Sequence, residues 1–332
     1  MDTVEEKAGS DWLGKVNLVI GFIIGVLVIW AMFSSQTPAT LQVQGFEQAA
    51  LTNTAAAPDQ PIWLLMVIGL AIGCYGTIIG IGGGPLIVPI LVFFYGWENE
   101  ILVATSLFIV FLNAASGCAG YAMQKRIDYK GAVRFTLAAM PGAFISSYVH
   151  HLINLTFFNV IFGAFLILLS VYTIFSISRM EKTRKEKQEF LKEAKAEGYR
   201  RAKFTDAFGV KYDYYSNDRL GIVMNLLLGF FCGFLGIGGG VFQVPILLFL
   251  LFYPVHIATA TSQFVTLLTC MVALIPHVFW GNVMYAHAMW MGVGVIVGAQ
   301  IGAQIAARLN TRVTLYLFIM VLIVFAVKLF MG

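Results

Sequence analysis

The sequence predicts an all-α fold: a polytopic membrane protein with two inverted-topology repeats, each a glycine-interrupted hairpin plus three transmembrane helices, and an extra N-terminal helix. Its composition is the first reason. Of the 332 residues, 59% are hydrophobic and 11% are charged, whereas about 25% of a soluble chain is charged. The second reason is that residues 220–307 contain no Asp, Glu, Lys or Arg. That run is long enough for about four membrane crossings of roughly 20 residues each.

The third observation is an internal repeat at a spacing of 156 residues. The run Gly-Ile-Gly-Gly-Gly at 80–84 falls on the same run at 236–240, and Ala-Thr-Ser at 104–106 falls on 260–262. Chance does not produce such a register, and secondary transporters are often built from repeats. The predicted segments are an N-terminal helix with an outer loop (1–60), repeat one (61–178), a charged insert (179–219) and repeat two (220–332).

After its hairpin, each repeat is expected to contain three long helices. We predict them at 101–123, 132–150 and 156–178 in repeat one, and at 258–280, 287–307 and 312–331 in repeat two. The apolar run 16–33 follows a start with four acids and two lysines, whereas a secretory signal begins with basic residues. We therefore interpret 16–33 as a retained membrane helix.

The orientation follows from Lys and Arg in short loops, which remain on the cytoplasmic side. Lys125, Arg126, Lys130 and Arg134 place the first helix-helix loop of repeat one inside, together with the basic insert. The loop 34–60 has no Lys or Arg and is expected outside. Repeat one then begins outside and repeat two inside, so the two copies are inverted. The N-terminus is expected in the cytoplasm and the C-terminus on the periplasmic side.

The glycine runs are the predicted centre of the chemistry. Each Gly costs about 1 kcal/mol relative to Ala in a helix, so 80–84 and 236–240 should interrupt the hairpins. Proline suits the first position of a helix, and we expect new helices to begin near Pro89 and Pro245. Two helix N-termini of about +0.5 charge each would together match a monoanion. The alternative is that the glycines only allow helices to pack closely.

Uncharged polar side chains on the following helices are expected at the same place. Ser106 and Asn113 are seven residues apart and share a helix face, and hydroxyl and amide groups can hydrogen-bond an oxyanion. Ser and Thr in helices can instead bond their own i−4 carbonyl. Gln300 and Gln304 rank second, because the glycines around them suggest a packing seam. The predicted substrate-binding residues are Gly82, Gly83, Gly84, Pro89, Thr105, Ser106, Asn113, Gly238, Gly239, Gly240, Pro245, Thr261, Ser262, Gln263 and Thr266.

The predicted membrane spans have no charged residue well inside them. Cation sites and proton relays in membranes use carboxylates, so a cation transporter is disfavoured. The sequence has no nucleophile-base arrangement and no dinucleotide site. We predict no enzyme, no cofactor and no metal site, and no nucleic acid partner, since most basic residues lie in the insert among acids.

The insert 179–219 carries 20 of the chain's 38 charged residues. Opposite charges at i,i+4, such as Glu181 and Lys185, favour a helix, and Gly198 could end it. We expect a solvated helical connector that takes no part in the site. The alternative is that its basic residues attract anionic lipid or gather substrate.

The doubled glycine run, the prolines downstream of it and the repeated Ala-Thr-Ser resemble the sulfite exporter TauE/SafE family of bacterial membrane permeases. The resemblance covers about 61–178 and 220–332. It implies an inner-membrane transporter of sulfite, sulfoacetate or another organosulfonate, and it implicates the residues around 80–89 and 236–245. The N-terminal helix, outer loop and insert depart from the short family pattern, which leaves the substrate and its regulation open.

The function predicted from these observations is a secondary transporter or facilitator that exports a small sulfur-containing oxyanion. With the inside negative, each charge that crosses is worth about 2.3 kcal/mol per 100 mV, which drives a monoanion outward without a coupled proton. Two alternatives stay open: an H⁺- or Na⁺-coupled importer of such an anion, and a membrane-embedded cofactor-binding or scaffold protein. The expected partners are the anion and the lipid bilayer, and a homodimer is left open.

Overall fold

The computed structural model describes residues 61–149 and 199–309 apart from Gly96 and Glu98, and only the backbone at 89, 92, 93 and 99. Its first part contains α1 (Ile62–Ile79), α2 (Gly84–Tyr95), α3 (Asn99–Met123) and α4 (Tyr129–Val149). Its second part contains β1 (Arg200–Thr205), β2 (Lys211–Ser216), α5 (Asp218–Leu235), α6 (Gly240–Pro245), a π-helical turn (Ile246–Leu250), α7 (Val255–Phe279) and α8 (Tyr285–Arg308). The predicted helices 16–33, 156–178 and 312–331 and the outer loop lie outside the described residues.

Five of the described helices, α1, α3, α5, α7 and α8, are long and apolar enough to cross a membrane. The prediction of a polytopic helical membrane protein is therefore confirmed. The helices predicted at 101–123, 132–150, 258–280 and 287–307 correspond to α3, α4, α7 and α8, with every end within three residues of the prediction.

Both glycine runs interrupt the helices, as the sequence predicts. α1 ends where Gly80 enters the left-handed region at φ 83°, and α5 ends in the same way at Gly236, with φ 67°. A left-handed residue with a Cβ costs roughly 1–2 kcal/mol, which Gly avoids. The next helix starts at Gly84 or Gly240, so the non-helical segments are 80–83 and 236–239, here called the first break and the second break.

The helix after each break begins earlier than predicted. The expectation that Pro89 and Pro245 open new helices is wrong, because the left-handed glycines complete the turn and helix resumes directly after them. Pro245 instead ends α6. It has no N–H to donate to the carbonyl four residues earlier, and the chain continues as the π-helical turn.

The first helix of each repeat packs along a helix of the other repeat: α1 along α8, and α5 along α4. Glycines let the backbones approach closely. A Cβ added at Gly73 would lie 2.6 Å from the Cα of Val295, and one at Gly142 would lie 2.6 Å from the backbone nitrogen of Phe230. The predicted packing seam on α8 is confirmed, since Gly294, Gly298 and Gly302 lie against the backbone of Met66, Leu70 and Cys74. The two repeats are therefore interlocked.

The C-terminal end of the charged insert is a β-hairpin. Its strands run antiparallel, with Arg200 opposite Ser216 and Thr205 opposite Lys211. The sequence predicts a solvated connector here, with a helix that could end at Gly198, and it predicts no strand after that residue. The part after Gly198 is instead a partly buried hairpin, so the all-α prediction is wrong. The physical reason is burial: Tyr212 and Tyr214 pack with Phe135 of α4 in one apolar cluster, and aromatic side chains favour strands. Residues 179–198 lie outside the described residues.

Candidate functional site

The first and second breaks lie directly against each other. A Cβ added at Gly240 would lie 2.5 Å from the Cα of Ile81, and one at Gly84 would collide with the carbonyl of Ile237. These two pairs are equivalent under the shift of 156 residues. The repeats therefore meet backbone to backbone, and only glycine fits at 84 and 240.

Ser106 of α3 and Ser262 of α7 connect the breaks to the opposite repeat. The Ser106 hydroxyl donates to the carbonyl of Gly236 at 2.7 Å, and the Ser262 hydroxyl donates to the carbonyl of Gly80 at 2.8 Å. Both side chains are fully buried. A serine hydroxyl has one hydrogen to donate, so in this conformation the two predicted anion donors hold the backbone of the breaks.

Thr105 and Thr261 make a second equivalent pair of contacts between repeats. The Thr105 hydroxyl oxygen accepts from the backbone N–H of Met284 at 3.1 Å. The Thr261 hydroxyl oxygen accepts from the backbone N–H of Asp128 at 3.2 Å. Each threonine thus holds the loop that precedes a long helix of the other repeat.

A small cavity lies beside the second break. Gly238 and Gly239 line it, together with the side chains of Asn225, Gln243 and Thr266. It has about 10 Å³ of space, roughly enough for one water molecule. Three buried atoms have no hydrogen-bond partner: Asn225 Oδ1, Gln243 Nε2 and Thr266 Oγ1. Buried polar groups in proteins are nearly always paired, so the cavity is a candidate place for a water molecule or a polar group of a ligand.

The first break has different polar neighbours. Thr77 donates to Asn113 Oδ1 at 3.1 Å, and Gln263 Nε2 donates to the carbonyl of Gly76 at 3.4 Å. Asn113 Nδ2 and Gln263 Oε1 have no partner. Asn113 Nδ2 lies 3.3 Å from the Cβ position of Gly83, so this predicted residue does lie at the break.

Several predicted residues come together where the breaks meet. Gly82 and Gly238 both lie against Val110 and Thr266, which are equivalent positions of α3 and α7. The predicted residues at this contact are Gly82, Gly83, Gly84, Asn113, Gly238, Gly239, Gly240, Gln263 and Thr266.

The other predicted residues lie elsewhere. Pro245 is buried at the end of α6, after the break, and the side chain of Pro89 lies outside the described residues. Gln300 donates to the carbonyl of Ser116 at 2.6 Å, and Gln304 is exposed.

The described residues at the breaks carry no charge. In the described helices, Asp, Glu, Lys and Arg lie only in the first two turns or at the last residue of α8. A ligand at the breaks would therefore be held by dipoles, hydroxyl groups and amides. Among the described residues, no three of His, Cys, Asp and Glu are grouped as a metal site would require.

A charged network joins the β-hairpin to both repeats. Asp128, in the loop before α4, accepts from Arg200 at 2.5 Å, from the hydroxyl of Tyr214 at 2.8 Å and from that of Tyr253 at 3.0 Å. Arg200 also donates to Asp218 at 2.7 Å. Burial raises the pKa of Asp128, but the bonds from Arg200 and Tyr214 outweigh it and hold that pKa below its usual value.

A second ion pair fixes the turn of the hairpin. Arg126 and Asp206 are 3.0 Å apart, and their side chains are 4% and 0% exposed. Asp206 also accepts from the backbone N–H of Val210 at 2.9 Å. Burial raises the pKa of Asp206, but the hydrogen bonds from Val210 and Arg126 outweigh this effect and hold the pKa below its usual value.

Sequence reasoning missed Asn225, Gln243 and the hairpin network. A search for repeated polar pairs passes over Asn225 and Gln243, because the equivalent residues are Gly69 and Ile87. Their sequence surroundings could have revealed them. Each is a lone amide in an otherwise apolar run, and polar residues inside membrane spans are costly and often functional.

The chain is similar to one family of membrane transporters and to two probable membrane transporter proteins. The family model described as sulfite exporter TauE/SafE matches residues 8–125 and 101–329. YunE of Bacillus subtilis, a probable membrane transporter protein, is 32% identical over 242 residues, which cover 71% of this chain and 85% of that protein. A probable membrane transporter protein of Methanocaldococcus jannaschii is 29% identical over 220 residues, covering 64% of this chain and 71% of that protein. No solved structure matches the chain significantly.

Proposed function

The chain belongs to the sulfite exporter TauE/SafE family, and we propose that it transports a small sulfur-containing oxyanion held where its two breaks meet. Its role as a membrane transporter follows from the family and agrees with the five apolar helices. The proposal concerns the substrate, its position and its direction.

The observation that carries the proposal is the group of buried polar atoms without partners at the breaks. Gln243 Nε2 and Thr266 Oγ1 lie beside the second break, and Asn113 Nδ2 lies beside the first. Amide and hydroxyl donors suit an anion, and an uncharged site can release it more readily than a fixed cation would. The N-terminus of α2, a helix of 12 residues, adds a positive dipole end at the first break.

The breaks must separate for an anion to enter. A cavity with room for about one water molecule is too small for sulfite or a sulfonate. The bonds from Ser106 and Ser262 cross this contact, and each contributes a net of only about 0.5–1.5 kcal/mol. Substrate binding could offset that cost, so we assign the described conformation to the closed state of the transport cycle.

The two repeats lie in opposite orientations in this proposal, with the insert in the cytoplasm. The reciprocal bonds of the serine pair and the threonine pair support a twofold relation between repeats. The transported species is a monoanion that leaves the cell, because an inside-negative potential supplies about 2.3 kcal/mol per 100 mV for each charge.

The test is flux of labelled sulfite from proteoliposomes with an imposed potential and no ion gradient. We expect flux that rises with the potential and falls in Gln243→Leu, while Gln304→Leu, which changes an exposed glutamine, behaves like the parent. Flux that requires a Na⁺ or H⁺ gradient would favour the coupled importer. Absence of binding or flux for both sulfite and sulfoacetate would reject the substrate class.

A further inference from the structure

Asn225, which lines the cavity beside the second break, has an amide group whose orientation is fixed by a hydrogen bond. Asn225 Nδ2 donates to the carbonyl of Gly221 at 2.8 Å. A carbonyl can only accept, so the amide cannot be turned around without losing this bond. The other amide atom, Oδ1, is buried without a partner and belongs to a residue of the cavity wall. Asn225 itself is 1% exposed.

An acceptor is the wrong partner for the oxygens of a simple anion, because both atoms offer lone pairs. Asn225 Oδ1 requires an O–H or N–H group from the ligand. Gln243 Nε2 can donate, and Thr266 Oγ1 can donate or accept. The space is about that of one water molecule, which fits a single hydroxyl group and not an ammonium with three hydrogens to satisfy.

From this set of atoms we infer that the substrate is a sulfur oxo-monoanion that carries a hydroxyl group, and that Asn225 accepts the hydroxyl hydrogen. Hydrogen sulfite and the hydroxyalkanesulfonates share this chemistry. The inference rests on the proposed function and specifies its substrate. The hydroxyl occupies the cavity, and the charged oxygens lie along the backbone of Gly238 and Gly239 once the breaks separate.

The charge of the substrate follows from the same surroundings. The residues that line the cavity include no Lys or Arg, and the desolvation cost of an ion grows with the square of its charge, so a dianion costs about four times as much as a monoanion. The fully deprotonated form of sulfite has two charges and no hydroxyl, and it is disfavoured on both counts.

The first test compares two sulfonates that differ only in the hydroxyl group. Binding of 2-hydroxyethanesulfonate and ethanesulfonate to the purified full chain is measured by calorimetry. We expect the hydroxyl compound to bind about tenfold more tightly, since ethanesulfonate leaves the buried acceptor unpaired. Asn225→Leu should remove this preference. The matched variant Asn113→Leu removes a buried amide at the first break and should weaken both compounds while the preference remains.

The second test uses sulfite itself. Rising pH converts hydrogen sulfite into the dianion, so the apparent affinity should fall about tenfold per pH unit above the pKa of the ligand, while the affinity for ethanesulfonate stays constant. Binding of sulfite alone assigns the site to the inorganic anion, and binding of 2-hydroxyethanesulfonate alone assigns it to a hydroxyalkanesulfonate.

The outcomes separate this inference from the proposed function. Equal affinity of the two sulfonates in the parent chain would overturn the hydroxyl requirement and leave the cavity as the place of a structural water, with anion transport intact. Absence of binding for both sulfonates and for sulfite would overturn both. If Asn225→Leu does not fold, the comparison of the two sulfonates in the parent chain decides.

Discussion

At the first break the equivalent positions 69, 87 and 110 are Gly, Ile and Val, whereas at the second break the corresponding 225, 243 and 266 are Asn, Gln and Thr. The glycines, their left-handed backbone and the serine and threonine bonds occur in both repeats. The cavity with unpartnered polar atoms occurs beside the second break.

The two breaks therefore share the contacts that hold the repeats together and differ in the side chains around the cavity. Contacts that hold one repeat against the other must match on both sides, and these are the ones that repeat. Groups that bind a single small molecule need to occur only once, and the side chains around the cavity differ between the repeats. The helices differ too: α2 has 12 residues, whereas α6 has 6 and then passes into a π-helical turn. The cavity thus lies beside the break that is followed by the shorter helix.

The largest expected effect is the loss of transport in Gly83→Val and Gly239→Val. Both glycines have a left-handed backbone, at φ 81° and 86°, and an added Cβ would lie 2.8 Å from Ile72 and 2.6 Å from Cys232. Flux per folded protein in proteoliposomes is the measurement. If only Gly239→Val is inactive, binding belongs to the second break alone.

The control for the glycine variants is Gly209→Val in the turn of the hairpin. Gly209 has a similar φ of 83°, and no atom lies within 4 Å of its Cβ position. All three variants therefore carry backbone strain of about 1–3 kcal/mol, but only the two break variants also crowd a neighbouring side chain. Near-normal transport by both break variants would return the breaks to a packing role.

The next largest effect concerns the ion pair of Asp128 with Arg200. Repeat two has no such pair at the equivalent position, because that residue is Met284. Removing one partner of a buried ion pair costs about 3–5 kcal/mol, so Arg200→Met should lower the stability of the purified protein by about 3 kcal/mol, because Arg200 is 17% exposed. Thermal unfolding in detergent is the measurement. Arg201→Met breaks an exposed pair with Asp213 and should change little. Equal effects of the two variants would show that the hairpin network does not support the fold.

The next prediction concerns the hydrogen bonds of Ser106 and Ser262, which occur in both repeats. Ser106→Ala and Ser262→Ala each leave a buried carbonyl without a donor, and each should lower stability by about 1–3 kcal/mol. Because the two bonds are equivalent, the two losses should be similar in unfolding experiments. Thr269→Val, which loses only a bond to the Val265 carbonyl of its own helix, should cost less. Clearly unequal serine effects would contradict the equivalence of the two contacts.

The smallest effect concerns the hydroxyl of Thr266. Thr266→Val keeps the shape of the side chain, so stability should hardly change, while anion affinity should fall by about 0.5–1.5 kcal/mol. Thr136 is the matched control, since its hydroxyl is also buried without a partner but does not line the cavity. Thr136→Val should therefore bind the anion like the parent in calorimetry. A loss in both variants would point to a general effect on the fold.

Repetition explains what the sequence could predict. The shift of 156 residues located both breaks and the serine and threonine pairs, and apolar length placed the ends of α3, α4, α7 and α8 within three residues. Asn225 and Gln243 could not be found in this way, because the equivalent residues of repeat one, Gly69 and Ile87, are not polar. The hairpin was missed because the charge spacing near Glu181 concerns only the residues before Gly198, whereas burial of Tyr212 and Tyr214 decides the structure that follows.

The position of Arg200 in the chain has a consequence for biosynthesis. The ribosome makes Asp128 first, then Arg200, then Asp218 at the end of the insert, and only later Tyr253 of repeat two. Because the guanidinium bonds groups from both repeats, its burial is completed only after the second repeat has entered the membrane and packed against the first. A chain that stops early, or a second repeat inserted the wrong way round, leaves this charge without part of its partners, which is costly in a buried setting. Full pairing of Arg200 therefore requires both repeats to be present and packed together.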